Sequence, residues 1–245
     1  MGRIGEVCYR YRKVGSTNDV ASRLAADGAA EGTLVVAAEQ TSGRGRFRRP
    51  WASPRGGLWF SVVLRPRVPP ARVPELAFVG AVGVARGVRA YPGVEAGIKW
   101  PNDLVHDRRK LGGILVEAGG PAKTRWVIMG VGLNVNVAPD NLPPAATSVQ
   151  EILGRPVALA RVLEAVTGEL EIAYRSWLRD GFAPVLAAWR ELCTCLGQPV
   201  TVRTASAVWR GVALDVDGSG ALLLALDNRT QRVLAGEVLF GSDTP

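Results

Sequence analysis

One segment of the sequence concentrates the residue types that hold anions. Residues 40–51 carry four arginines within six positions, interleaved with glycines and closed by a tryptophan. Glycine lets the backbone approach a ligand closely, and arginine presents a planar fork that suits phosphate and carboxylate oxygens. Trp51 offers a face for a purine. The pattern is neither a Rossmann fingerprint nor a P-loop, and it suits a small anionic ligand, a solvated basic loop or a nucleic-acid patch.

A second segment combines a lysine with a rigid turn. Lys99 lies between an apolar stretch and the sequence Trp100-Pro101, so it can present a point charge to a phosphate. Asn102 and Asp103 are also ordinary turn or helix-cap residues. The glycine pair at 112–113 would let the chain pass close to a small, flat ligand.

Two further segments carry unusually many short polar side chains. Alternation along a strand would place Asn134 and Asn136 on one side, where they either bond a nucleotide or satisfy the backbone, because buried unpaired amides are costly. Residues 16–19, Ser-Thr-Asn-Asp, precede a helical stretch. One helix N-cap needs only one such residue, so the surplus is free to bond a polar ligand.

The elements that must position these segments follow from periodicity and turn residues. Strands are predicted over 33–38, 57–64, 112–117 and 126–137, the last two forming a hairpin through Gly119-Gly120-Pro121. Helices are predicted over 75–88, 159–178 and 182–192, with Asp180-Gly181 ending the second. Short strands at 200–202, 208–216, 221–226 and 232–240 indicate a small barrel. We therefore predict an α+β protein with domains at 1–192 and 193–245.

Composition narrows the class of protein without deciding it. Hydrophobic residues make up 47% and charged residues 21% of the 245 residues, an ordinary globular balance. No apolar run reaches the roughly 18 residues of a membrane span, and no signal-peptide core follows Met1, so we expect a soluble cytoplasmic protein. The net charge of +8 suits anionic partners of several kinds. The three cysteines and one histidine form no spaced metal set.

Taken in order, the motifs resemble those of the biotin protein ligase family. The matching residues are Ser16-Thr17-Asn18, Gln40-x-x-Gly43-Arg44-Gly45-Arg46, Trp51, Lys99-Trp100-Pro101-Asn102-Asp103, Lys110-Leu111-x-Gly113-Ile114-Leu115-x-Glu117, Gly130-x-Gly132-x-Asn134 and, in the tail, Leu234-Ala235-Gly236-Glu237-Val238. The resemblance covers nearly the whole chain. It implies a mixed β-sheet flanked by helices, related to class II aminoacyl-tRNA synthetases, with a small C-terminal SH3-like β-barrel.

The resemblance also implies an activity. Biotin would be activated with ATP to biotinyl-5′-AMP and then transferred to a lysine of a biotin carboxyl carrier protein, by default that of acetyl-CoA carboxylase. Because a carboxylate must meet a phosphate, such a site needs concentrated positive charge, here expected from arginine, lysine and Mg²⁺. The Mg²⁺ would be bound mainly through phosphates, with no metal-binding side chain assigned.

Residue roles implied by the resemblance fall into three groups. The catalytic residues would be Lys99, placed between the biotin carboxylate and the α-phosphate, and Arg46. The biotin site would comprise Ser16, Thr17, Asn18, Gln40, Arg44, Gly45, Arg46, Lys99, Gly113 and Leu115. The ATP and adenylate site would comprise Arg44, Arg46, Trp51 near adenine, Lys99, Asn102 and Asn134.

The sequence departs from the family at Arg48, where a glycine is usual and a Cβ restricts the backbone. The chain begins close to the catalytic body, leaving no room for a helix-turn-helix, so we expect no DNA binding and no membrane partner. Monomer and homodimer stay open. Two alternatives compete: a relative that loads lipoate, although its Arg-Arg and triple-glycine pattern is absent, and a basic nucleic-acid-binding module, which would require steep salt dependence and stacking aromatics along one groove.

Overall fold

A mixed sheet of seven strands forms the body of the computed structural model, which describes residues 2–120 and 126–241. Its strands are β1 (Cys8–Tyr11), β2 (Leu34–Ala37), β3 (Leu58–Leu64), β4 (Gly97–Lys99), β5 (Asp103–His106), β6 (Arg109–Gly119) and β7 (Trp126–Leu133). They lie in the order β1-β2-β3-β7-β6-β5-β4. Strands β1 and β2 are parallel and the other neighbours are antiparallel. This arrangement confirms the mixed sheet.

The centre of the sheet matches the strands predicted from apolar runs. Strand β3 is buried along its whole length, as expected for a continuous apolar strand covered on both faces. Strands β6 and β7 pair antiparallel, which confirms the predicted neighbours. The predicted connecting turn includes Pro121, which lies outside the described residues. Strands β1, β4 and β5 were not predicted, because each is short, with three or four residues, and carries polar residues.

Helices cover both faces of the sheet. On one face, α1 (Thr17–Ala26) packs Ala21 and Ala25 against residues of β2, β3 and β7. The other face carries α2 (Glu75–Arg89), α4 (Leu159–Asp180) and α5 (Phe182–Leu192), whose apolar residues join one large core. A short helix, α3 (Val149–Leu153), contributes Val149 to the same core. As predicted, α4 ends at Gly181, whose φ of 81° favours glycine.

Helices α2 and α4 approach each other at two glycines of α2. A Cβ added to Gly83 would lie 2.5 Å from the Cα of Leu170, and one added to Gly87 would lie 2.5 Å from the Cα of Val166. Neither neighbour is a flexible side chain, so an added methyl group could be accommodated only if the helices moved apart. The two glycines therefore determine how closely α4 packs.

The C-terminal part is an antiparallel sheet of five strands, consistent with the expected SH3-like fold. Its strands are β8 (Pro199–Arg203), β9 (Val208–Val216), β10 (Leu222–Leu226), β11 (Arg229–Val233) and β12 (Glu237–Phe240), in the order β11-β10-β9-β8-β12. The single strand predicted over 232–240 is wrong. The segment splits because β11 pairs with β10 at one edge, whereas β12 pairs with β8 at the other.

The C-terminal sheet packs directly on the body. The indole of Trp100 donates a hydrogen bond of 3.0 Å to the carbonyl of Gly220, and a Cβ added to Gly220 would lie 2.9 Å from the ring of Phe78. One apolar core extends through both parts, and the domain boundary at residue 193 stays a prediction. Within residues 2–120 and 126–241, no helix combines the length and hydropathy required to cross a membrane.

We expect Gly87→Ala to lower the free energy of unfolding by about 2 kcal/mol, because the new methyl group overpacks the contact between α2 and α4. Gly168→Ala in α4 is the matched control, since nothing lies within 4 Å of the added Cβ. There, the higher helix propensity of alanine should raise stability by roughly 0.5–1 kcal/mol. Urea unfolding of both variants tests the pair, and a stabilised Gly87→Ala protein would contradict the close packing.

Candidate active site

A cavity of about 300 Å³ lies between the N-terminus of α1, residues 44–52, strands β6 and β7 and the tail of the chain. That volume lies at the small end of the range for small-molecule sites. Twelve residues of the three predicted groups line it, although they come from six separate stretches of sequence: Ser16, Thr17, Asn18, Gln40, Arg44, Gly45, Arg46, Trp51, Asn102, Gly113, Leu115 and Asn134. Lys99 is not among the lining residues.

Glycines on β7 make room for two of the lining side chains. A Cβ on Gly130 would clash with the side-chain oxygen of Asn18, and one on Gly132 would lie 2.7 Å from Nε1 of Trp51. Gly113 on the neighbouring strand lies opposite Gly132, and its added Cβ would also contact Trp51, at 3.8 Å. The absence of side chains at these glycines therefore leaves room for the amide of Asn18 and the indole of Trp51 against the sheet.

One end of the cavity is a network of neutral polar groups. The backbone N–H and the hydroxyl of Thr17 both donate to Oε1 of Gln40, at 2.8 and 3.0 Å. The amide of Gln40 donates to Ser53, and the hydroxyl oxygens of Thr17 and Ser61 lie within hydrogen-bond distance of each other, each pair at 2.8 Å. Ser16 occupies the N-cap position of α1, yet its side chain makes no capping hydrogen bond. These groups are therefore oriented by one another instead of being used to cap the helix.

Next to this network, Arg44 is held by two carboxylates. Its Nε and Nη2 donate to the two oxygens of Glu117, at 3.1 and 2.9 Å, and Nη2 also lies 2.8 Å from Oδ1 of Asp19. Glu117 accepts a further hydrogen bond of 2.6 Å from Asn18. Hydrogen bonds from Arg44 to Asp19 and Glu117 raise the pKa of its guanidinium. The charge of Arg44 is thus largely compensated by its neighbours.

Arg46 has a different environment. Its Nη1 donates to Oδ1 of Asn102 at 3.2 Å and to the carbonyl of Gly236 at 3.1 Å, and no carboxylate lies in salt-bridge contact with it in the described part of the chain. Burial lowers the pKa of this guanidinium, against the attraction of Asp103 and Glu237. Because an arginine stays protonated in proteins, Arg46 is a poorly solvated cation facing the cavity.

The C-terminal sheet closes one side of this arginine loop. Gly236 and Glu237, at the start of β12, line the cavity. Besides the bond from Arg46 to Gly236, Arg49 donates to Glu237 at 2.6 Å. The sequence motif around residue 236 identified the C-terminal domain, but no local pattern could show that it meets the loop, because the partners are 188 and 190 residues apart.

Arg48 stands where the family usually has a glycine, yet the backbone at this position keeps a conformation that glycine favours. Both Phe47 and Arg48 have a φ of 56°, in the left-handed region that glycine adopts without strain. A side chain in this conformation costs roughly 1–2 kcal/mol. The loop therefore keeps the geometry that suits glycine although Arg48 carries a Cβ.

Two lysines share one aspartate, but only one of them lines the cavity. Asp103 lies 3.6 Å from Nζ of Lys99 and 2.7 Å from Nζ of Lys110. Lys110 lines the cavity and its Nζ is 5.1 Å from the centre of a Trp51 ring. The pairing of β5 with β6 shifts register between Leu104 and Val105, which interrupts the strand alternation near Lys110.

Lys110 belongs to one of the matching motifs, but the resemblance implied no role for it. The sequence signal for a role in ligand binding was its position two residues before the glycine pair at 112–113. Strand alternation alone could not decide which lysine faces the cavity, because the register shift changes the side on which later residues lie.

Asn134 and Asn136 do not share a strand face, so that prediction is wrong. Strand β7 ends at Leu133, one residue before Asn134. Asn134 lines the cavity and donates to the carbonyl of Thr147 at 3.0 Å. Asn136 is not a lining residue and bonds the backbone of Val157 through both amide atoms, at 2.8 and 3.0 Å. It therefore satisfies the backbone of the body.

Comparison with known sequences gives two family matches. Residues 11–134 match the Biotin/lipoate A/B protein ligase family, and residues 195–241 match the Biotin protein ligase C terminal domain. The first match contains the α1 N-terminus, the arginine loop, both lysines and Asn134. The second contains Gly236 and Glu237. Most of the cavity wall thus lies within the matched segments, and Leu142, Pro143 and Ala146 lie between them.

Individual relatives agree with these matches. The chain is 36% identical over 244 residues to Bifunctional ligase/repressor BirA of Bacillus subtilis, covering 97% of this chain and 75% of that protein. It is 36% identical over 238 residues to Biotin--[acetyl-CoA-carboxylase] ligase of Paracoccus denitrificans, covering 92% and 97%. Among solved structures, biotin protein ligase from Aquifex aeolicus in complex with biotin and ATP superposes with a TM-score of 0.83 at 26% identity, covering 96% and 98%.

We expect Arg48→Gly to be more stable than Arg48→Ala by about 1 kcal/mol, because only glycine relieves the left-handed backbone conformation. Both variants remove the same guanidinium, so their difference isolates the effect of the Cβ. The midpoints of urea unfolding measure it. Equal stabilities would mean that residue 48 does not adopt the left-handed conformation in solution.

Proposed function

The chain belongs to the biotin/lipoate A/B protein ligase family and is a biotin protein ligase, and from this premise we propose how its cavity carries out the reaction. The carboxylate of biotin attacks the α-phosphorus of ATP, the bond to pyrophosphate breaks, and biotinyl-5′-AMP forms. A carrier lysine then attacks the acyl carbon, an amide forms and AMP leaves. The observation that carries this proposal is the meeting of a neutral polar network with Arg46 and Lys110 in a single cavity.

The neutral network suits the ureido ring of biotin. That ring offers N–H donors and a carbonyl acceptor, and it carries no charge. Ser16, Thr17 and Gln40 present hydroxyl and amide groups at this end of the cavity, and the hydrogen bonds between Thr17 and Gln40 orient those two side chains before a ligand arrives. Gly113 and Leu115 provide the apolar wall that the rest of biotin requires. Pre-oriented neutral groups bind such a ring without the desolvation cost of a charge.

The cationic end suits the reacting anions. Carboxylate and α-phosphate repel each other, so their approach requires fixed positive charge at the point where negative charge gathers. Arg46, which contacts Asn102, and Lys110, which contacts Asp103, supply it. In this proposal Lys110 takes the role that the resemblance implied for Lys99. Lys99 instead positions Asp103 through a contact of 3.6 Å between its Nζ and the Asp103 carboxylate.

The adenine would lie near Trp51 and Asn134. The indole N–H of Trp51 is buried without a hydrogen-bond partner among the described residues, a costly state that a ligand acceptor would relieve. Asn134 lines the same region and retains its side-chain oxygen for an adenine edge, since its amide nitrogen donates to the backbone of Thr147. Arg44 would keep the loop in place and contribute less directly to phosphate binding.

Mg²⁺ fits this site as the partner of the ATP phosphates. The carboxylates among the lining residues are Asp103 and Glu237, and both are engaged, Asp103 by two lysines and Glu237 by Arg49. Neither is a free ligand for a metal held by the protein, so Mg²⁺ would enter with the triphosphate. It would supply charge neutralisation of the phosphate oxygens.

The second step requires a neutral lysine from the carrier. We propose that this carrier is the biotin carboxyl carrier domain of acetyl-CoA carboxylase, the enzyme for which the ligase of Paracoccus denitrificans is named. No base for the amine is assigned, and His106 does not line the cavity. The expectations of no DNA binding, of a homodimer as one of two oligomeric states and of a cytoplasmic location stay predictions.

A single assay tests the proposed function. The purified protein is mixed with ATP, Mg²⁺, biotin and a carrier domain, and the mass of the carrier is measured. We expect a mass gain of one biotinyl group on one lysine, and no gain when lipoate replaces biotin or when the carrier lysine is changed to arginine. Transfer of lipoate at a similar rate would refute the substrate assignment, and no transfer of either acid would refute the function.

We expect Lys110→Ala to slow biotin-dependent pyrophosphate release by roughly 10²–10³-fold, the usual cost of losing one stabilising group at developing charge. Lys99→Ala is the matched variant, because it removes the other lysine of Asp103, and we expect a loss of about tenfold or less since its side chain does not line the cavity. A larger loss in Lys99→Ala than in Lys110→Ala would return the leading role to Lys99.

A further inference from the structure

Glu117 connects two parts of the site although it does not line the cavity. It lies on β6 and accepts hydrogen bonds from Asn18, at the N-terminus of α1, and from Arg44, in the arginine loop. These partners are 99 and 73 residues away in sequence. Asn18 lies in the neutral network, whereas Arg44 belongs to the cationic loop. A single carboxylate therefore spans the boundary between the two ends of the site.

The contact with Glu117 determines the orientation of the Asn18 amide. Because the Glu117 carboxylate can only accept, the amide nitrogen of Asn18 faces it and donates at 2.6 Å, and the amide oxygen then accepts a hydrogen bond of 2.6 Å from Ser61. The side chain is buried above Gly130, where a Cβ would clash with it. A flipped amide would turn its oxygen toward the Glu117 carboxylate and lose that hydrogen bond, because a carboxylate can only accept. Any ligand group that fixes Asn18 also fixes the position of the Glu117 carboxylate.

Arg44 is the point at which the loop is tied to the sheet. Its guanidinium binds Glu117 through Nε and Nη2, a two-point contact that determines direction as well as distance. Beyond Arg44, Gly45 donates a backbone hydrogen bond of 2.9 Å to Arg49, which closes the loop on itself. Residues 47–50 are exposed. Holding Arg44 therefore holds the base of a loop whose tip faces solvent.

We propose that Glu117 is a positioning residue that couples the biotin end of the cavity to the arginine loop, so that occupancy beside Asn18 keeps the loop closed over the adenylate. This inference rests on the proposed function and adds a regulation of the same site. Coupling of this kind is reciprocal: a closed loop also favours retention of biotin. Release of the reactive mixed anhydride into water is thereby limited while the biotin end is filled.

Asp19 provides an internal comparison. It also contacts Arg44, at 2.8 Å, but its side chain is 51% exposed, and no hydrogen bond to Asn18 accompanies that contact. Removing Asp19 takes one carboxylate from Arg44 while the connection through Glu117 stays intact. Removing Glu117 breaks the connection and leaves the Asp19 pair. The two variants therefore separate loss of loop charge from loss of coupling.

The test follows cleavage of the loop by trypsin, since the exposed stretch after Arg44 contains arginines. In the wild-type protein, saturating biotin should slow cleavage within residues 44–49 by about tenfold. In Glu117→Gln, with biotin raised until calorimetry shows saturation, we expect less than about twofold protection. Asp19→Asn should keep most of the protection. A second readout, the rate at which preformed biotinyl-5′-AMP leaves the protein, should rise about tenfold in Glu117→Gln.

Glu171→Gln is the matched control. Glu171 also accepts from an arginine and from a group distant in sequence, Arg175 and the backbone N–H of Ile4, but it lies on α4, outside the cavity wall. Its variant should behave like wild type in both readouts. Unchanged protection in Glu117→Gln, or a wild-type protein that biotin does not protect, would overturn the coupling.

The experiment also separates this inference from the function itself. If the wild-type protein fails to bind biotin in the calorimeter or to modify a carrier, the proposed function fails. Suppose instead that it does both, and that biotin protects the loop of Glu117→Gln as well as it protects the loop of Glu171→Gln. Only the coupling then fails. Should Glu117→Gln melt well below the control, Asn18→Ala breaks the same contact from its other end, and the same loss of protection at saturating biotin is expected.

Discussion

The site depends on a cation whose charge its neighbours do not neutralise. Arg44 and Arg46 are two residues apart in one loop, yet Arg44 is bound by Asp19 and Glu117, whereas Arg46 is bound by an amide oxygen and a carbonyl. A half-buried cation without a carboxylate in contact is costly, and an anionic ligand reduces that cost. A guanidinium group therefore holds the loop in place at Arg44, whereas at Arg46 it is available to bind an anionic ligand.

Glycine performs two separate tasks in this molecule. On β7, Gly130 and Gly132 leave space above the sheet, and the side chains of Asn18 and Trp51 fill it. On α2, Gly83 and Gly87 leave space on a helix, and the backbone of α4 fills it. The first pair shapes the cavity floor on one face of the sheet. The second lets the other face be covered tightly, so the strands carrying the site rest on a closely packed layer.

The arginine loop is supported both from the body and from the C-terminal sheet. Glu117 and Asp19 hold its first arginine from the body, while Gly236 and Glu237 hold Arg46 and Arg49 from the C-terminal sheet. These contacts stabilise the left-handed backbone at Phe47 and Arg48, which would otherwise be disfavoured. A loop that is strained by itself and held from two sides can open when either support is lost. That property suits a site that must retain a reactive intermediate and later admit a carrier lysine.

Sequence patterns alone predicted the segments that meet at the cavity and most of the helices and strands that bear them. The order of motifs identified the family, and long periodic stretches such as α4 and α5 were predicted closely because their apolar faces repeat over many residues. Which side chains meet depends on how the elements are folded together. Lys110 lines the cavity in place of Lys99 because a register shift interrupts β6, and Asn136 turns to Val157 because β7 ends before it. Glu117 and Glu237 reach the loop across separations that no local pattern records, since periodicity reports which face a residue occupies and not what lies opposite it.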